Sequence, residues 1–175
     1  MEHLTAEPVL AAAIRPLVGR DGVIVAPDLG AAKLARRYAQ RLDLPMAVVH
    51  KIRTSPTEVA AERLVGEVRG RRPVIVDDMI STGATIAAAR EAVLLAGALP
   101  EIIVAATHGV CAPGWQRALA HPAIRHLLMT NTLELTEELD DERIRRVSVV
   151  PVLAEAIRRL HEDAPLGDLL AQTQQ

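Results

Sequence analysis

The stretch "VIVDDMISTGAT", residues 74 to 85, carries an apolar run into two adjacent carboxylates, Asp77 and Asp78, and then into hydroxyls and small side chains. Ser81, Thr82, Gly83, Ala84 and Thr85 stand just ahead of an Ala-rich helical pattern. Backbone N–H groups at a helix N-terminus, with hydroxyls beside them and little bulk to hold a ligand off, make an anion site. Hydrogen bonds to a charged group contribute ~1.5–3 kcal/mol each, so several converging on one phosphate give useful affinity without a Lys in the loop. The carboxylates cannot share that task. They suit the hydroxyls of a sugar, or a metal ion bridging sugar and phosphate oxygens. Acids for vicinal hydroxyls beside a cradle for a terminal phosphate describe a phosphorylated ribose. The competing reading of the acid pair is a solvated turn after a strand, and the loop that follows at once weighs against it.

For such groups to meet, strand ends must be gathered on one side of a sheet. Apolar runs bounded by turn signals alternate with longer helical patterns, the sequence form of a parallel sheet with helices on its faces. Strands are expected at Val23 to Ala26, Met46 to Val49, Val74 to Asp77, Ile102 to Thr107, Leu127 to Thr130 and, shorter, Val147 to Val150. Helices are expected at Ala31 to Leu42, Thr85 to Ala96, Gly114 to Ala120 and Val152 to His161. Leu10, Ile14 and Leu17 recur at helical spacing, so residues 1 to 20 are expected to open the chain with a helix. The fold class expected is α/β, a three-layer doubly wound and mostly parallel sheet of about five strands. One domain would span 1 to 165, with 166 to 175 a short helix and frayed tail. In such a sheet the crevice beyond the carboxyl ends of the strands binds ligands.

Composition narrows the alternatives. With 175 residues, half of them apolar, the chain has material for a sizeable core, yet it holds one Trp, one Tyr and no Phe. That poverty of aromatics argues against a stacking platform for single-stranded nucleic acid. A formal net charge of -2, spread along the chain, announces no polymeric partner. Neither a cationic leader nor an apolar stretch of about 18 residues appears, so the expected partners include no nucleic acid and no membrane, and the expected location is cytoplasmic. Cys111 stands alone, which excludes an internal disulfide; as a free Cys it reads as a buried small residue. His50, His121, His126 and His161 show no ligand spacing, and Trp115 reads as packing.

The acidic loop resembles the ribose-phosphate-binding motif of the type I phosphoribosyltransferase fold. Together with "VIVAPDLGAAKLARRYA", "VVHKIR", "AATHGV" and "VSVVPVLAEAIRRLH", in that order and spacing, it resembles the C-terminal half of ribose-phosphate diphosphokinase, from about Glu2 to His161. That family makes phosphoribosyl diphosphate from ATP and ribose 5-phosphate. The resemblance implies that Asp77, Asp78 and the run Ser81 to Thr85 hold ribose 5-phosphate or phosphoribosyl diphosphate. It implies that Asp28 binds Mg2+ and that Asp28, Leu29, Gly30 and Ala31 form the loop near the transferred diphosphate. Asp28 also suits an ordinary cap at a strand end. Lys51 and Arg53 match the family's catalytic Lys and its partner Arg on a mobile loop, where two cations would spread the charge of a moving diphosphoryl group. Taken alone, "HKIR" would be a solvated loop. His108 matches the family pattern too, and a structural role at a strand end suits it.

Three departures accompany the match. Synthases of this family usually hold two such domains, the first supplying most of the ATP site, and this sequence matches one of them, so ATP would bind only if a second half were supplied. Ser81 stands where many have Asp and Ala84 where Gly is common, and Ala serves there only with a negative φ. The tail lacks the serine-rich ending tied to allosteric control. Three functions compete: a diphosphokinase-type domain of nucleotide biosynthesis, a stand-alone phosphoribosyltransferase, and a non-catalytic subunit. Homo-oligomers are expected from the family's habit.

Overall fold

The computed structural model describes residues 4–52, 61–134, 141–167 and 169, with backbone alone at 51, 52, 61 and 62. Its helices are α1 (Glu7–Val18), α2 (Ala32–Leu42), α3 (Ala84–Leu95), α4 (Trp115–Leu119) and α5 (Val150–His161). Its strands are β1 (Gly22–Ala26), β2 (Met46–Ile52), β3 (Ala61–Val65), β4 (Arg72–Ile80), β5 (Ile102–Gly109), β6 (Ile124–Thr130) and β7 (Ile144–Val147). They form one sheet in the order β3-β2-β1-β4-β5-β6-β7. Every pairing is parallel except that of β2 with β3.

The central strands are runs of β-branched and small residues, buried on both faces as a parallel sheet requires. All five residues of β1 are buried. Alternate residues then serve two cores. Val23, Val25, Ile75 and Val104 face α3 and α4, meeting Ile86, Val93, Trp115 and Leu119. Ile24, Val74, Val76 and Ile103 face α1 and α2, meeting Leu10, Ile14, Ala35 and Tyr38. Trp115 is packing, 4% exposed.

The α/β class and the parallel order agree with the sequence reading, but the sheet has seven strands rather than about five. The strand not anticipated, β3, reads Ala-Glu-Arg-Leu-Val. An edge strand with charged side chains gives little apolar periodicity to find. Its antiparallel pairing, with Lys51 in register with Glu62, carries β2 past the expected end at Val49 to Ile52. At the other edge β7 lies at Ile144–Val147 and not at Val147 to Val150. The more apolar residues that follow begin α5, which has a Pro at its first turn, where a missing N–H costs nothing. On α5 the apolar side chains Val150, Leu153, Ile157 and Leu160 are exposed while Ala156 is buried. Among the described residues no helix is long and apolar enough to cross a membrane. Of the expected terminal helix and tail, residues 168 and 170 to 175 lie outside the described residues.

Candidate active site

In the sheet, β1 and β4 are neighbours, and the chain proceeds from β1 toward one edge and from β4 toward the other. This is the switch point, where the connections leaving adjacent strands diverge and open a crevice. Asp28 follows β1 there, and Asp77 and Asp78 lie in the last turns of β4. The fold therefore brings Asp28 within electrostatic reach of Asp77, about fifty residues later in the sequence.

Burial changes along β4 at the acid pair. Pro73 to Val76 are buried, Asp77 is half-buried, and Asp78 and Met79 are exposed. The Asp78 N–H donates to Asp77 Oδ1 at 2.9 Å. Burial raises the Asp77 carboxyl from its ordinary 3.8 to about 7 against the pull of that bond, and the charges of Asp78 and Asp28 push the same way as burial. Asp28 Oδ1 accepts the Ala31 N–H at 3.0 Å, so the cap reading of Asp28 has its hydrogen bond. The same atom would lie 3.1 Å from a Cβ built on Gly30, so a side chain there would crowd the Asp28 carboxylate in the loop of Asp28, Leu29, Gly30 and Ala31 ahead of α2. Asp28, Leu29 and Gly30 are exposed and Ala31 is buried.

The small-residue loop leads directly into α3. Gly83 is its N-cap residue, with φ of +77°, a conformation that glycine adopts without strain. Ala84, the first helical residue, is not among the residues of positive φ, so the condition for Ala at that position is met. Ser81, Thr82, Ala84 and Thr85 are exposed, and Thr82 Oγ1 accepts the Ala84 N–H at 3.4 Å. The loop is held from outside itself. Cys111 N–H donates to Ile80 O at 2.9 Å and Ala112 N–H to Ser81 O at 3.2 Å. A Cβ on Gly83 would lie 3.1 Å from Ala118 Cβ, so α4 backs the turn.

Of the two candidate catalytic cations, Arg53 lies outside the described residues, as does the side chain of Lys51. The Lys51 backbone is in a strand, not the expected loop. Ala26 is in register with Val48, which sets Lys51 just past the level where β1 gives way to Asp28. His108, in β5 beside Met79, pairs through Nδ1 with Thr132 Oγ1 at 2.9 Å. Thr130, buried, donates from Oγ1 to Thr107 O at 2.6 Å. This hydroxyl cluster at the ends of β5 and β6 was not anticipated; the Thr-Asn-Thr run after an apolar strand is the signal that marks it. Cys111 is half-buried, and burial pushes its thiol up, as a packing role requires.

A family model described as the phosphoribosyl synthetase-associated domain matches residues 53–171. A ribose-phosphate pyrophosphokinase of Streptomyces avermitilis is 38% identical over 172 residues, which cover 97% of this chain and 53% of that protein. A solved phosphoribosylpyrophosphate synthetase from Mycobacterium smegmatis superposes with a TM-score of 0.81 at 35% identity, over 91% of this chain and 51% of that one. The orotate phosphoribosyltransferase of Aeropyrum pernix, at 20% identity and a TM-score of 0.51 over 85% of this chain and 75% of that one, shares the fold alone. The chain spans about half the length of the curated relatives it matches.

Proposed function

The chain belongs to the phosphoribosyl synthetase-associated domain family, and from that premise we propose that it binds ribose 5-phosphate and phosphoribosyl diphosphate in a ribose-phosphate diphosphokinase reaction. The observation that carries this is the meeting of Asp77, Asp78 and the Ser81–Gly83 turn with Asp28 at the sheet's switch point. The N–H groups opening α3 and the hydroxyls of Ser81, Thr82 and Thr85 take the 5-phosphate. Asp77 and Asp78 accept hydrogen bonds from the ring hydroxyls.

Mg2+ belongs to the same proposal. Asp28, Asp77 and Asp78 offer hard oxygen donors, though among the described residues no three side chains close into a metal cage of their own; burial first and then the charges of Asp78 and Asp28 raise the Asp77 carboxyl, and a divalent cation would relieve the charge part of that shift. One or two carboxylates completed by phosphate oxygens and water suit Mg2+. Bound there, the ion would neutralise phosphate charge. Lys51 and Arg53 add cations for the transferred group. In that transfer the sugar O1 bonds to the β-phosphorus of ATP, the bond from that phosphorus to the bridging oxygen breaks, AMP leaves and the O1 proton is released.

The ATP-binding half, and the homo-oligomer expected of the family, are proposals of the same rank, because the matched relatives are about twice as long. The test incubates the chain with Mg2+, ribose 5-phosphate and ATP, alone and with a separately expressed N-terminal half of a relative. The expected result is AMP formation in the mixture and calorimetric binding of ribose 5-phosphate that Thr82→Val weakens about tenfold. Unchanged heats in that variant would remove the loop from the mechanism. Release of diphosphate from phosphoribosyl diphosphate by the chain and a base would replace the diphosphokinase reading with base transfer.

A further inference from the structure

On the face of the sheet away from α1 and α2, a cavity of about 520 Å³ opens between α3 and α4. The methyl groups of Ala87, Ala118 and Ala120 line it together with Arg90, Arg117 and His121. Its volume is in the range of small-molecule sites. None of these residues belongs to the crevice at the switch point.

Arg90 is buried, 9% exposed. Its Nη1 donates to Ala118 O at 3.2 Å and its Nη2 to the exposed Glu91 carboxylate at 2.6 Å. Its Nε is shut off from solvent without a hydrogen-bond partner. Among the described residues Glu91 pairs with Arg90 alone, and Arg117 lines the same pocket, so the lining carries an excess of positive charge before His121 is considered. The Glu91 carboxyl is drawn below its ordinary range by Arg90 first and by His121 as well, which sets the imidazole near the same carboxylate. His121 Nδ1 accepts the Ala123 N–H at 3.1 Å, leaving Nε2 as the ring's donor. The pocket is an open groove, and guanidinium groups in such a groove bind carboxylate or phosphate through paired, charge-assisted hydrogen bonds.

We infer that this cavity is a second anion-binding site, for a small molecule carrying a phosphate or carboxylate on a compact apolar body. The charged group sits among Arg90, Arg117 and His121, and the body rests on the alanines. Ala118 links this site to the first one. Its carbonyl accepts from Arg90, and its methyl is the group against which Gly83 rests. A ligand that draws on Arg90 therefore alters the backing of the turn that opens α3. The site stands independently of what the Ser81–Thr85 loop binds.

The test is a residue-resolved NMR titration of the full chain with phenyl phosphate and, separately, with benzoate, against potassium chloride at matched ionic strength. Saturable shifts at Ala118, Ala120 and His121 are expected with one probe or both, and the stronger probe identifies the headgroup. Arg117→Ala, an exposed change, should weaken binding at these residues about tenfold. Glu91→Gln, which removes the competing carboxylate, should tighten it severalfold. Shifts that potassium chloride reproduces, shifts confined to Ser81 to Thr85, or equal affinity in Arg117→Ala would each overturn the inference.

Discussion

Replacing Asp77 by Asn should make the protein more stable and worse at binding. The half-buried Asp77 carboxyl titrates at about 7 rather than 3.8, through burial first and then the charges of Asp78 and Asp28. The sign follows from linkage. Between those two pH values the folded chain keeps a proton that the unfolded chain has lost, so the group's contribution is greatest below about 4 and is lost as pH rises to 7. At ~1.4 kcal/mol per pH unit the full effect is ~4 kcal/mol. Asp77 is open to water on one side, so screening reduces this to ~2 kcal/mol. Asn keeps an oxygen to accept the Asp78 N–H and carries no charge. Urea unfolding at pH 8 should show Asp77→Asn more stable by ~2 kcal/mol, a midpoint roughly 1 M higher. The gap should close as pH is lowered toward 4. Calorimetry with Mg2+ and ribose 5-phosphate on the same samples should show affinity falling at least about tenfold. Equal stability at pH 8, or a gain that does not change with pH, would refute the electrostatic account of this residue.

Two further substitutions probe the site and a third its scaffold. Gly83→Ala places a Cβ at positive φ and 3.1 Å from Ala118; a loss of ~1–3 kcal/mol in urea unfolding is expected, with weaker ribose 5-phosphate binding. Lys51→Ala should lower turnover of the complemented assembly about a hundredfold, or ~3 kcal/mol, with little change in sugar-phosphate affinity. Arg72→Ala removes the guanidinium that holds Leu17 O at 3.2 Å, Val18 O at 3.0 Å and the Glu101 carboxylate, freeing the end of α1 from the start of β4. A stability loss of ~1–3 kcal/mol without loss of ligand affinity is expected from equilibrium unfolding and calorimetry.

What was legible in the sequence tracks what burial writes into it. β1 and the start of β4 are apolar without interruption because both faces are covered, and they were placed to within a few residues. Asp77 and the Ser81–Thr85 loop stood out because charge and small residues interrupt that pattern where the sheet ends. β3 and β7 left no such mark: each lies at an edge and carries charged side chains, so the mean apolar signal falls. The apolar run near Val149 misled for the opposite reason, since α5 turns much of its apolar side outward. Lys51 and Arg53 entered through resemblance alone, and Lys51 owes its strand to pairing with β3. The cavity of Arg90, Arg117 and His121 was illegible because it joins two helices whose relative placement only the packed fold decides.

The loop's conformation is therefore not its own property. Gly83 allows the turn, but Cys111 and Ala112 hold its start through backbone bonds to Ile80 and Ser81, and Ala118 supports it from beneath. All three supports come from the stretch after β5, residues 110 to 119, whereas Asp77 is held by its pairing with Ala106 inside β5. Positioning a phosphate by backbone N–H groups demands that kind of external support, because a short chain segment with small side chains pays a large conformational entropy to stay ordered. The acids need less of it: Asp77 is anchored by the sheet itself and Asp28 by its bond to Ala31. Changes that shift the backbone at Cys111 and Ala112 or the methyl of Ala118 should accordingly act on phosphate affinity and leave the carboxylates in place, a separation that calorimetry with inorganic phosphate and with ribose 5-phosphate would measure.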